Sequence, residues 1–268
     1  MSEHSFQVRI HSVFSCAFRF VDTFTGRSPI NSNLHVKLIG SNEKPVAKGD
    51  WYVCSNLTKG NYQLQIESQL YIPQTIDFEI TDTRGNGQCE EQNIFLTPST
   101  IYPFRQGDTL IRGGIREPSG LPAGGIPISA ILHLQQGFAV KLSDDASISS
   151  KQVSLSCPTG RVSFPDAFCA EVGGIRHTFQ ISEMDKGKIA HLTRPLSEFL
   201  PKGTILYPFY ETKSNDRGDY VFALSPKWSK ACSRVDILVH ANQLTGACTV
   251  AIEEGNVHSA GIQQLVHA

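Results

Sequence analysis

The chain has 268 residues, 40% hydrophobic and 18% charged, which is enough apolar material to bury a core and too much for a solvated, disordered chain. Its 24 basic and 25 acidic residues leave a formal net charge of −1 with no dense Lys/Arg run, which argues against nucleic acid or an acidic membrane surface as partner. No apolar stretch approaches the roughly 18 residues that span a bilayer, and the start reads as lacking a secretory signal.

The seven cysteines (16, 54, 89, 157, 169, 232 and 248) are odd in number and scattered. That pattern reads as thiols in a reducing compartment. The expectation is a protein made in the cytoplasm and, where released, released as part of an assembled particle. Cys16, Cys54, Cys89 and Cys157 lie in or beside strand-like stretches, where a thiol acts as a small hydrophobe.

Taken in chain order, the elements are dominated by period-two alternation, the mark of half-buried strands. Cys16, Phe18 and Phe20 alternate with Ala17, Arg19 and Val21, and a turn follows at Thr25 and Gly26. An apolar strand comes next around Val36 and Leu38, then a hairpin at Lys48, Gly49 and Asp50 leading into Trp51, which is expected in the core. Beyond the turn at Lys59 to Asn61, Tyr62, Leu64 and Ile66 alternate with glutamines and Glu67, and Ile76, Phe78 and Ile80 alternate with Asp77 and Glu79. The turn-like run Arg84 to Gly87 follows, and the Pro-containing stretch Leu96 to Thr100 marks a domain boundary.

A second series of strands begins at Thr109, with turns at Ser119–Gly120 and Asp216–Gly218. It resumes through Tyr220, Phe222 and Leu224 and then Val235, Ile237 and Val239. Extra strands are expected at Val153–Ser156 and Thr178–Ile181. One short helix is expected over Thr193–Leu200, with Thr193 as cap and Pro195 in the first turn. The tail from Val257 reads as a short docking helix or a frayed end.

The two halves echo each other. Asp22, Gly26 and Pro29 precede one apolar strand, and Glu117, Gly120 and Pro122 precede another; Lys48 to Val53 is matched by Arg217 to Phe222. With the run Leu57, Gly60, Tyr62, Leu64 and Ile66, this pattern resembles a tandem of carboxypeptidase-regulatory-like domains, in the transthyretin-like and Cna-B-like group of β-sandwiches. The second half departs from the pattern, with only Val235–His240 standing where the last motif belongs.

The resemblance implies a mainly β fold of two tandem transthyretin-like β-sandwich domains, over residues 1–100 and 101–268. The hairpin glycine follows its turn glycine closely in the first half (Gly26 to Gly49) but distantly in the second (Gly120 to Gly218). Roughly 75 extra residues therefore interrupt the second domain, at about 133–207, and a long surface insertion of this kind costs little.

Chemistry is sparse. Gly124–Gly125 and Gly173–Gly174 lack the setting of a phosphate loop, and no nucleophile elbow or zinc-protease helix is present. Cys157, Cys169, His177 and His191 are types that zinc favours, but their spacing is too wide for paired ligands, and they read as core thiols and ordinary histidines. Arg217, Gly218 and Asp219 spell an adhesion-receptor tripeptide, yet stand where the hairpin needs a charged turn. The Tyr-Pro-Phe triplets at Tyr102 and Tyr207 read as staples of strand ends. A Lys–Asn cross-link of the Cna-B type depends on which residues converge, which the sequence leaves open.

The reading is therefore a non-enzymatic structural or adaptor protein in a larger assembly, such as a bacterial phage-tail-like particle. No catalytic, cofactor-binding or metal residues are expected and no cofactor. Protein partners are expected, with no nucleic acid, no membrane span and no specified small molecule. The alternative is a carbohydrate- or peptide-binding module with its site in residues 133–207.

Overall fold

A computed structural model describes residues 13–30, 34–81, 90–157, 162–185, 188–241 and 243–267. The chain divides into two compact units. The first draws on residues up to 20, 31–68 and 73–94, and the second on 21–30, 69–72 and 95 onward. Cys89 and the expected turn at 84–87 lie outside the described residues.

The first unit is a β-sandwich. Its strands are β1 (Phe14–Asp22, ending in the second unit), β2 (His35–Ile39), β3 (Val46–Lys48), β4 (Trp51–Ser55), β5 (Gly60–Glu67), β6 (Gln74–Ile80) and β7 (Glu90–Leu96, also ending in the second unit). They form one sheet in the order β3-β4-β1-β7 and another in the order β2-β5-β6. Alternation sends Cys16, Phe18 and Phe20 inward from one sheet and Tyr62, Leu64, Ile66 and Phe78 inward from the other. Phe18 and Phe78 meet edge-to-face at 5.0 Å between ring centroids, and burying each such ring is worth about 1.5–3 kcal/mol. Trp51 is only half-buried, because the β1–β4 register sets it opposite Arg19; Tyr52 packs on Phe20 in its stead, with centroids 4.8 Å apart.

The second unit continues with β8 (Thr109–Arg116), β9 (Pro127–Leu134), β10 (Val140–Leu142), β11 (Gln152–Ser156), β12 (Ala167–Val172), β13 (Ile175–Met184), β14 (Ile189–Leu192), β15 (Ile205–Lys213) and β16 (Asp219–Leu224). The one-turn helix α1 (Pro226–Ser229), β17 (Cys232–Ala241), β18 (Leu244–Ala251), β19 (Val257–Gln264) and β20 (Val266–His267) complete it. Ten strands form one sheet, ordered β10-β11-β14-β13-β12-β15-β9-β17-β18-β20, and β16-β8-β19 lies in another. The core between them includes Ile111, Ile115, Ile128, Leu132, Tyr220, Phe222, Val235 and Ile237, so this part too is a sandwich.

Because β10 also pairs with β15, the strands β10-β11-β14-β13-β12-β15 close on themselves as a six-stranded barrel. Val140, Leu142, Leu155, Phe168, Phe179, Ile181, Leu192 and Leu206 fill it, each at most 7% exposed. A small barrel packed in this way is a solid body, not a channel. β15 belongs to both parts: Ile205–Pro208 pair with β10 and β12, and Phe209–Lys213 pair with β9 of the sandwich.

Two expectations are corrected. Thr193–Leu200 is not helical: the amides of Leu196 and Leu200 bond sideways to the carbonyls of Ser150 and Ala146, both at 2.9 Å. Leu196 and Leu200 are apolar on one face because they close the barrel, and their burial imitates a helical period. The tail is neither helix nor frayed: β19 runs parallel to β8 and β20 pairs with β18, with Leu265 buried between them. The helix that does form carries buried Trp228 and begins at Pro226, where a missing amide costs nothing.

Candidate functional site

The four zinc-type residues are not assembled into a site. Cys169 and His177 lie on neighbouring strands but one register step apart, so they face opposite sides of the sheet. Cys169 is buried, which pushes its thiol up, and Cys157 is half-buried beyond the end of β11. His191 pairs instead with Asp185 at 3.1 Å. Among the described residues, no three His, Cys, Asp or Glu side chains are placed to hold a metal ion.

The tripeptide Arg217–Asp219 is a locked turn. The Asn215 side-chain oxygen accepts hydrogen bonds from the amides of Arg217 (2.9 Å) and Asp219 (3.0 Å), and Arg116 donates to the Arg217 carbonyl at 2.7 Å. Gly218 has φ +77°, and a side chain there would run into the Ile115 carbonyl.

Three polar clusters escaped the sequence reading. The first centres on Asp22, which is fully buried. Its carboxylate accepts from the hydroxyls of Tyr71 (2.9 Å) and Tyr102 (2.6 Å) and from the amides of Phe24 (2.8 Å) and Thr25 (3.1 Å). Burial pushes both phenols up, and the Asp22 charge adds to the effect. The Asp22 turn and the Tyr102 triplet were both visible in the sequence; their convergence was not.

The second cluster joins the barrel to the sandwich within the second unit. Lys227 of α1 donates to Asp166 at 2.6 Å and to Ser163 at 2.7 Å, while the Trp228 ring nitrogen donates to the other Asp166 oxygen at 3.0 Å. Burial pushes the Asp166 carboxyl up from its ordinary value, and Lys227 opposes that shift. Lys227 thus converges on an aspartate and not on the asparagine of a Lys–Asn cross-link. Among the described residues, the other groups bonded to the pair are a hydroxyl, an amide and an indole. The pair is an ion pair that fastens the loop before β12 to α1.

The third lies on the outer face of the ten-stranded sheet. His133 and Asp236 meet at 2.6 Å, Thr249 donates to Asp236 at 2.8 Å, and the Tyr207 ring sits 5.3 Å from that of His133. Partial burial opposes ionisation of Asp236, yet the bonds from Thr249 and His133 outweigh it and hold the carboxyl below its ordinary range. Among the described residues, the His133 imidazole is bonded to the Asp236 carboxylate, and the two orient each other.

The first unit carries a groove of about 550 Å³ between the edge strands β2 and β3. Leu34, His35, Lys37, Tyr52, Gln65 and Glu67 are among its lining residues. Among the described residues each flanking strand pairs on one side only, so strand edges form the lips of the groove, and Lys37 and Glu67 give its walls both signs. Such a groove suits an extended polypeptide, which can continue a sheet edge through its backbone, better than a small apolar molecule.

No family model matches the chain, and no curated protein matches it. Among solved structures it is similar to the Bacillus anthracis TIE protein (9% identity, TM-score 0.26), covering 95% of this chain and 34% of that one. It is similar also to a streptococcal ancillary pilin (7% identity, TM-score 0.26, 93% of this chain and 69% of that one). A third is BcpA, the major pilin subunit of Bacillus cereus (7% identity, TM-score 0.23, 96% and 100%). The chain spans about a third of the first of these, and likenesses this low carry nothing about activity or partners.

Proposed function

We propose that this chain is a non-enzymatic structural or adaptor protein that contributes β-sandwich domains to a larger protein assembly. The observation that carries this reading is the groove between β2 and β3, whose strand-edge lips suit a partner polypeptide. The second unit supports it, since a barrel filled by its own side chains and spliced to a sandwich through β15 is built for rigidity. Among the described residues, that filling leaves the alternative, a carbohydrate or peptide site in residues 133–207, the outer surface of the barrel to occupy.

On the same reading, both sandwiches are transthyretin-like domains of the carboxypeptidase-regulatory-like and Cna-B-like group, and residues 133–207 are an insertion into the second. The reading extends to synthesis in the cytoplasm. Nothing in the fold favours a phage-tail-like particle over any other assembly.

The test is isolation of the tagged protein from a native lysate of its own cells. A protein partner in near-equal amount is expected, and its recovery falls several-fold for Lys37→Glu, a change on the exposed groove wall. Recovery of the chain alone, or of the partner undiminished by the groove variant, would overturn the reading.

A further inference from the structure

Cys16 and Cys54 stand directly opposite each other on the antiparallel pair β1 and β4, both pointing into the core of the first unit. They are 2% and 1% exposed, and their thiols are within hydrogen-bond reach of each other. Opposed residues of an antiparallel pair have Cα atoms about 4.5 or 5.5 Å apart, according to whether they exchange ladder hydrogen bonds. Both separations fall in the span a disulfide bridges, roughly 4.4–6.8 Å.

The local backbone is built to hold this pair. The register slips between Phe14 and Cys16, so Ser15 bulges, and its hydroxyl accepts the Leu57 amide at 2.9 Å. Val13 and Asn56 clamp the same end through reciprocal bonds at 2.7 and 2.9 Å. The two thiols are thereby held face to face by backbone on both strands.

We propose that Cys16 and Cys54 are a paired oxidation site, which closes to a cross-strand disulfide when the protein meets a peroxide. The Cys54 thiolate attacks one peroxide oxygen, breaking the O–O bond, and the leaving oxygen takes up a proton and departs as water. The Cys16 thiol then attacks the Cys54 sulfenic acid, forming the S–S bond and releasing a second water. Two electrons leave the two sulfurs, and the peroxide is reduced to two waters. Contact between the two thiols pushes the Cys54 thiol down, ahead of the opposing effect of burial, which favours the thiolate that the first step needs. Cys232, in contrast, is pushed up to about 11 by burial, and Cys169 is pushed up as well.

The experiment treats the folded full chain with hydrogen peroxide, alkylates remaining thiols in denaturant, and maps peptides without reduction. The expected result is one linked pair, Cys16 with Cys54, that reduction reopens into two alkylatable thiols. The dose is fixed as one that consumes the thiols of the urea-unfolded chain. At that dose, recovery of Cys16 and Cys54 as two separately alkylated peptides would overturn the proposal. So would either one ending as an unlinked sulfinic or sulfonic acid, or linked mainly to another cysteine. Cys16→Ser is the companion variant: Cys54 then goes on to higher oxides or remains a thiol, and the reopenable pair is absent.

Discussion

Tyr102 donates a 2.6 Å hydrogen bond to the buried carboxylate of Asp22, joining residues eighty positions apart. With Tyr71 donating to the same oxygen, the bond fastens the turn after β1 to the start of the second strand series. A hydrogen bond to a charged acceptor is worth about 1.5–3 kcal/mol, so Tyr102→Phe should lower unfolding stability by that amount. Asp22→Ala should cost more, because it takes the acceptor from two buried hydroxyls at once. Urea melts of the two variants check this, and equal midpoints for wild type and Tyr102→Phe would show the bond to be idle.

Alkaline pH should find the buried tyrosines. Tyr71, Tyr102, Tyr210 and Tyr220 all have phenols pushed up by burial. A folded-state value above the unfolded one gives stability that is full below the unfolded value, about 10, and is lost as pH rises beyond it. In a spectrophotometric titration these four should therefore ionise together with unfolding above about pH 10, not one by one in the folded chain. Smooth ionisation of all tyrosines before any loss of structure would contradict this.

The ion pair between Lys227 and Asp166 should fail when halved. Asp166 has a side chain only 8% exposed, so Lys227→Met leaves a buried carboxylate without its cation, at a cost of about 3–5 kcal/mol. The intact mass of the wild-type chain should equal that of the sequence, since the pair is ionic. A deficit of one water would mean the two have condensed.

Much of the fold could be read from the residues, and the failures share one cause. Alternation located most strands because each buries one face, as in Tyr62, Leu64 and Ile66. What alternation does not carry is the neighbour of each strand. The closure of β10 against β15, the lateral bonding of Leu196 and Leu200, and the parallel docking of β19 on β8 are all non-local pairings. Both ends of the first polar cluster were likewise visible, Asp22 as a turn residue and Tyr102 in its triplet, but a hydrogen bond across eighty positions leaves no local mark. The pairing of Cys16 with Cys54 was hidden for the same reason: both read as core thiols, and only register makes them partners.

Gly113 and Gly114 offer a matched test of packing in the second sandwich. A methyl on Gly113 would overlap the ring and hydroxyl of Tyr220, whereas one on Gly114 meets Ile262 at 3.6 Å, an ordinary contact. Gly113→Ala should cost about 1–3 kcal/mol, as overpacking does, and Gly114→Ala much less. Comparable melting temperatures for the two variants would place Tyr220 elsewhere.

If this chain works as a rigid part of a larger protein assembly, the native size of the untagged protein must show it. Gel filtration of a gentle lysate, followed by detection of this chain, measures it. Elution in a complex well above the 29.5 kDa of the chain is expected. Elution of the whole population at the size of the monomer would contradict it.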